Sequence, residues 1–215
     1  MFGFGNFKTL AAAAALVVSA GVAQAITVTI PTNLTLEAEP LKIYQQTTNS
    51  PCVIGENSCQ NPGGMGLTIL PGGGSGSYAN IFSPNYSVAL LRSILGVDGF
   101  HVGIDLNQTS VDQIFSTFVM LVNGTQTFAY TSTSALPALH QGNGFADYLL
   151  KGFSLAGLAD TDIIRFGLDM ALKNDGREQF FLIAAPVPIP VPAAGLLLLG
   201  ALGGLAALRR RRRAV

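Results

Sequence analysis

Ten consecutive residues, Ile164 to Lys173, hold this chain to an extended backbone. Ile164, Phe166, Leu168, Met170 and Leu172 alternate with Arg165, Gly167, Asp169, Ala171 and Lys173. A period of two sends one set to each side of a strand, whereas a helix would scatter the apolar set around its surface. The pattern recurs in Phe100, Val102, Ile104 and Leu106, which alternate with His101, Gly103 and Asp105. Phe115 to Val122 and Thr125 to Thr131 flank Asn123-Gly124, a pair that tolerates positive φ and so predicts a tight hairpin. Gly142-Asn143-Gly144 opens a further strand over Phe145 to Leu155, and Asn174-Asp175-Gly176 turns the chain into Glu178 to Ala184.

The first half is looser. Ile26 to Ile30 alternates as a first strand, and Leu41 to Gln45 and Gly66 to Leu70 suit short ones. Pro71-Gly-Gly-Gly-Ser-Gly-Ser77 suits a flexible connector. Tyr86 to Val97 breaks the rule, placing Val88, Leu91, Ile94 and Leu95 at helical spacing. Strands joined by short polar turns, with no strand–helix–strand rhythm, predict an all-β fold. The expectation is an antiparallel β-sandwich-like domain with one short helix over residues 26–185, flanked by an N-terminal signal helix and a C-terminal transmembrane helix.

Those flanks are where charge and grease are misplaced. Twelve Lys and Arg balance twelve Asp and Glu, yet residues 26–185 hold all the acids against only Lys42, Lys151, Lys173, Arg92, Arg165 and Arg177, a net charge of −6. An acidic domain of this kind is no partner for nucleic acid, which needs a basic surface. Residues 1–25 combine Lys8, an apolar run and the small-x-small exit Ala23-Gln24-Ala25, the three parts of a secretory signal peptide cleaved after Ala25. At the other end, residues 186–192 alternate proline with Val and Ile, a stiff donor-poor linker. An uncharged run of sixteen residues follows, Ala193 to Leu208, and then Arg209, Arg210, Arg211, Arg212 and Arg213. At ~1.5 Å per residue the run spans roughly 24 Å, which local bilayer thinning and arginine snorkelling bring to the hydrocarbon thickness. The arginines predict a cytoplasmic end and an exported domain.

Pro190, Val191, Pro192, Ala193, Ala194 and Gly195, followed by the leucine-rich run and the arginine block, resemble a PEP-CTERM sorting signal. More narrowly, they are similar to the Val-Pro-Leu-Pro-Ala variant borne by alphaproteobacterial proteins, although Val-Pro-Ile-Pro-Val-Pro-Ala stands here in place of the plain pentapeptide. The resemblance covers about the last thirty residues. It implies a Gram-negative bacterium, recognition by an exosortase-type membrane transpeptidase, and removal of the tail at the membrane. It speaks to destination rather than to what the cargo does.

Chemistry within the cargo is sparse. Cys52 and Cys59, in an exported chain, most simply form one disulfide around a small loop. No Gly-x-Ser-x-Gly elbow and no His-Glu-x-x-His pair occurs. His101 reads as the outward phase of a strand and His140 as a solvated loop residue. The carboxylate pairs Asp160 with Asp162 and Asp175 with Glu178 fall at strand ends, where acids cap turns in water. Asp160, Asp162 and Asp175, with Asn143, Asp147 and Asn174, supply oxygen ligands for a candidate Ca²⁺ site, without matching the helix–loop–helix calcium spacing. Tyr78, Tyr86, Tyr130 and Tyr148 are the candidates for stacking on an extracellular polysaccharide, since Trp is absent. The reading is an exported, non-enzymatic surface or extracellular-matrix protein; the alternative is a secreted carbohydrate-binding module.

Overall fold

The computed structural model describes residues 34–186 apart from 73–75, 108–111, 141, 143 and 174–175. The signal peptide with Ala23 and Ala25, the strand at 26–30, the linker beyond Pro186, and the sorting segment with its arginines lie outside the described residues.

In chain order the elements are β1 (Thr35–Ala38), β2 (Cys52–Gly55), β3 (Thr68–Ile69), β4 (Gly76–Phe82), β5 (Tyr86–Ser87), α1 (Val88–Leu95), β6 (Gly99–Asp105), β7 (Gln113–Val122), β8 (Thr125–Tyr130), β9 (Ser134–Leu136), β10 (Tyr148–Ser154), β11 (Ile163–Lys173) and β12 (Gln179–Ala184). They form two sheets. Sheet I runs β1-β10-β6-β12-β2-β3; sheet II runs β4-β11-β7-β8, with β5 also on β11 and β9 also on β7. Every pairing is antiparallel except β2 with β3, which is parallel.

The alternation in the long strand sets the inner face of sheet II: Ile164, Phe166, Leu168 and Met170 are all buried. Asn123 (φ 51°) and Gly124 (φ 82°) make the β7–β8 turn with positive φ at both central residues, so its twist matches the flanking strands. The helix is shorter than its periodicity predicts, because Tyr86 and Ser87 pair with Ile164 and Ile163. Ser87 then caps α1, its hydroxyl accepting from Leu90 N at 3.2 Å, and Gly96 closes it in the left-handed conformation. No strand forms at 41–45, where only an isolated bridge joins Gln45 to Phe145. Conversely, β1, β2, β4 and β9 have no clear alternation to betray them; β4 begins inside the glycine-rich stretch expected to be a connector.

Phenylalanines join the sheets. Phe153 is brought inward by a bulge at Gly152 (φ 110°), the extra residue between the pairs Lys151–His101 and Phe153–Phe100. Its ring stacks on Phe100 of sheet I at 5.0 Å and meets Phe118, Phe128 and Phe166 of sheet II at 6.0, 5.9 and 6.3 Å.

Sheet I is covered on its outer side as well. Cys52, Ala146, Leu149, Phe181 and Ile183 form a second apolar cluster, against which Tyr44, Cys59 and Leu67 pack. Two side-chain amides fix the covering segment. Gln46 Nε2 donates to Gln60 O at 2.9 Å while its Oε1 accepts from Gln60 N at 3.1 Å. Asn61 likewise brackets Cys52, accepting from its N–H and donating to its C=O. The Cys52–Cys59 disulfide is present and staples this segment to β2. A Cβ on Gly103 would come within 2.7 Å of Phe181, so glycine is required where that ring crosses β6.

Because Phe153 touches both sheets, Phe153→Ala is expected to cost about 3–5 kcal/mol. Urea unfolding followed by far-UV circular dichroism measures it; a loss below about 1 kcal/mol would mean that the ring cluster does not hold the sheets together.

Candidate functional site

β6 ends at Asp105, and β12 begins opposite it at Gln179. At that end of sheet I the covering segment leaves an open pocket of about 300 Å³, lined by Gln45, Gln46, Glu56, Ser58, Gln60, Gly142, Gly144 and Gln179. Every lining side chain is polar. Glu56 is held from two directions: Ser58 Oγ and Gln179 Nε2 donate to its Oε1 at 2.6 and 2.8 Å. The Gln46 amide is committed to the loop that closes the pocket.

A buried acid lies beneath this lining. Asp105 is 1% exposed. Its Oδ2 accepts from Gly144 N at 2.8 Å, whereas Oδ1 has no hydrogen-bond partner among the described residues. Burial, then the neighbouring Asp147, push its carboxyl up to about 7; Glu56 and Glu178 add to this and the Gly144 N–H opposes it. Asp147, fully buried, has a structural task. Its Oδ1 accepts from the amides of Leu139 and His140 and its Oδ2 from Leu106 N at 2.7 Å, tying the loop before β10 to the end of β6. Burial raises this carboxyl too, while the three amides pull it back.

Several side chains expected in water are inside. His140 is buried rather than solvated, its Nε2 bonded to Glu39 O at 2.6 Å. His101 is half-buried, and burial holds its imidazole below the usual value. Glu178 is no exposed turn acid: it accepts from Gln113 Nε2 in the interior, and burial together with Glu178 pushes the Tyr78 phenol upward. Local sequence pattern does not report how deeply a loop or strand-end residue is packed, and that depth is set by distant segments.

The tyrosine platforms are absent because these side chains belong to the core between the sheets. Tyr78, Tyr86, Tyr130 and Tyr148 are 2, 2, 8 and 7% exposed. Their hydroxyls bond inward, as Tyr86 does to Gly66 O at 2.8 Å and Tyr148 to Pro137 O at 2.9 Å. Half-buried Phe82 has its ring face taken by the Arg165 guanidinium at 4.5 Å. None of these rings offers a face to a sugar.

Of the candidate calcium ligands, Asp160 and Asp162 are engaged in surface contacts, Asp147 is buried, and Asn143 and Asn174 lie outside the described residues. Asp160 pairs with Arg92 at 2.6 Å. Asp162 accepts from Asn123 Nδ2 at 2.9 Å and from Ala159 N at 2.8 Å, which hold its carboxyl below the usual range. Asp175 lies outside the described residues. Among the described residues, no group of three or more His, Cys, Asp and Glu is placed to hold a metal ion. Nor is any helix among them long and apolar enough to cross a membrane.

The pocket had one faint sequence signal: four of its lining residues are glutamines, clustered around the cysteine loop and at the start of the last strand. No family model matches this chain, and no curated protein matches it.

Asp105 gives the domain a pH dependence with a definite sign. Between roughly pH 4 and 7 the folded state retains a proton that the unfolded chain has released, so this group lowers stability as pH rises through that window and no further above it. The groups facing it are Asp147, Glu56, Glu178 and the Gly144 amide. Asp105→Asn is therefore expected to stabilise the domain at pH 8 by on the order of 2 kcal/mol and to leave it nearly unchanged at pH 4. Thermal unfolding at the two pH values measures this; equal shifts at both would remove the carboxylate as the origin.

Proposed function

We propose that this chain is an exported, non-enzymatic surface or extracellular-matrix protein whose β domain is cargo for a C-terminal sorting signal. The observation that carries the reading is the order of the last thirty residues: alternating prolines, the uncharged run from Ala193 to Leu208, then Arg209 to Arg213. The first supplies a spacer, the second a membrane-length apolar segment, and the third a block that stays cytoplasmic. Residues Pro190 to Gly195 are the segment that an exosortase-type transpeptidase would read.

Three features of the described domain support this. The fold completes itself before the signal begins: β12 ends at Ala184, and Ala185 N donates to Gly99 O at 3.0 Å. The chain therefore leaves sheet I beside the start of β6, at the end remote from Asp105 and the pocket. A disulfide and a net charge of −6 over residues 26–185 suit an oxidising exterior and a soluble displayed domain.

Intact-mass spectrometry tests the proposal. The full chain is expressed in a Gram-negative host that carries an exosortase-type enzyme, and in the same host lacking it. The expected product in the first lacks residues 1–25 and the tail from about the 190–195 motif onward; in the second the tail is retained. Retention of residues 193–215 in both hosts would overturn proteolytic sorting and leave a permanent membrane anchor.

A further inference from the structure

The pocket at the Asp105 end of sheet I excludes most ligand classes by its chemistry. Among the described residues no Lys, Arg or His lines it to give an anion a counter-charge, and no hydrophobic side chain lines it to reward an apolar ligand with burial. The acids near it do not form a metal-holding group among the described residues. What the lining does offer is hydrogen-bonding capacity of both signs. The side-chain amides of Gln45 and Gln60 each present a carbonyl and an NH₂ group and make no hydrogen bond among the described residues, while buried Gln179 has its Oε1 against the Cys52 sulfur and spends an Nε2 hydrogen on Glu56. Glu56 has Oε1 fixed by Ser58 and Gln179, which orients Oε2 as a further acceptor without a ligand having to order it.

Donors and acceptors on one rim match neighbouring hydroxyls, each of which donates one hydrogen bond and accepts others. The volume, about 300 Å³, is at the small end of ligand pockets and leaves room for one ring with its substituents. From this we infer that the pocket binds a single polyhydroxylated ring, a sugar residue held through its hydroxyls by Gln45, Gln60 and Glu56, with Gln179 positioning Glu56 and no aromatic stacking partner. Hydroxyls donate to the Glu56 carboxylate, and ring and hydroxyl oxygens accept from the glutamine NH₂ groups. Binding in this mode is weak, with a Kd on the order of 1 mM, because no ring face contributes. The site is independent of the sorting proposal, since a domain can bind a sugar whatever becomes of its tail.

The test is an NMR titration of the full chain, ¹⁵N-labelled, in a zwitterionic detergent that carries no sugar. The probes are methyl α-glucoside, methyl α-galactoside, methyl α-mannoside and N-acetylglucosamine, with glycerol as the control for unspecific polyol effects. At least one sugar is expected to shift the side-chain NH₂ signals of Gln45, Gln60 and Gln179 saturably, with glycerol giving no saturation. Glu56→Gln and Gln60→Ala are each expected to weaken binding about fivefold. Gln60 is exposed, so its variant keeps the test informative even if Glu56→Gln perturbs the covering loop. The inference is overturned if no sugar gives a saturable shift at these amides, if glycerol saturates equally, or if Gln60→Ala binds as tightly as the parent.

Discussion

The ring of Phe153 stands where the two sheets meet, and its position depends on one extra residue. Gly152 adopts a φ of 110° and shifts the register of β10 against β6, turning the next side chain into the interior. There it contacts Phe100 on its own sheet and Phe118, Phe128 and Phe166 on the other. Large rings bury more apolar area per residue than aliphatic chains and lose few rotamers on ordering. A domain of modest length, with ten Phe between residues 26 and 185 and no Trp, thereby fills a two-sheet core.

With the inner face of sheet I closed by these rings, its outer face becomes the less usual feature. A sandwich commonly leaves such a face wet, with polar residues on it. Here Phe181, Ile183 and Leu149 project outward and are covered by the segment carrying the disulfide and the Gln46 and Asn61 clamps. Asp105, buried at one end of that face, has its carboxyl pushed up to about 7 by burial and by Asp147. Where the cover stops short, at the ends of β6 and β12, the polar pocket opens.

Much of the architecture could be read from the residues. β6, β7, β8, β10, β11 and β12 follow from alternation and from Asn123-Gly124, and α1 from the spacing of Val88, Leu91 and Leu95. The two cysteines left little choice of partner. The short strands β1, β2, β4 and β9 could not be read, because three to seven residues with Gly, Ser and Thr carry too little pattern, and pairing with a neighbouring strand decides them. The candidate site was legible only as an excess of glutamine near the cysteine loop. Its residues come from segments as far apart as Gln45 and Gln179.

By itself, then, the sequence determined the extended backbone, the inward phase of the long strands, the hairpin turn and the cysteine pairing, since each rests on local stereochemistry or on a lack of alternatives. Only the tertiary structure decided what lies over each outward face. The outward phase of the strand that carries His101 ends in a fully buried Asp105, and the tyrosines that could have stacked on a sugar are turned into the core. Periodicity fixes which side of a strand a residue occupies. Whether that side is wet depends on segments distant in the chain, and on the hydrogen bonds and disulfide that hold them there.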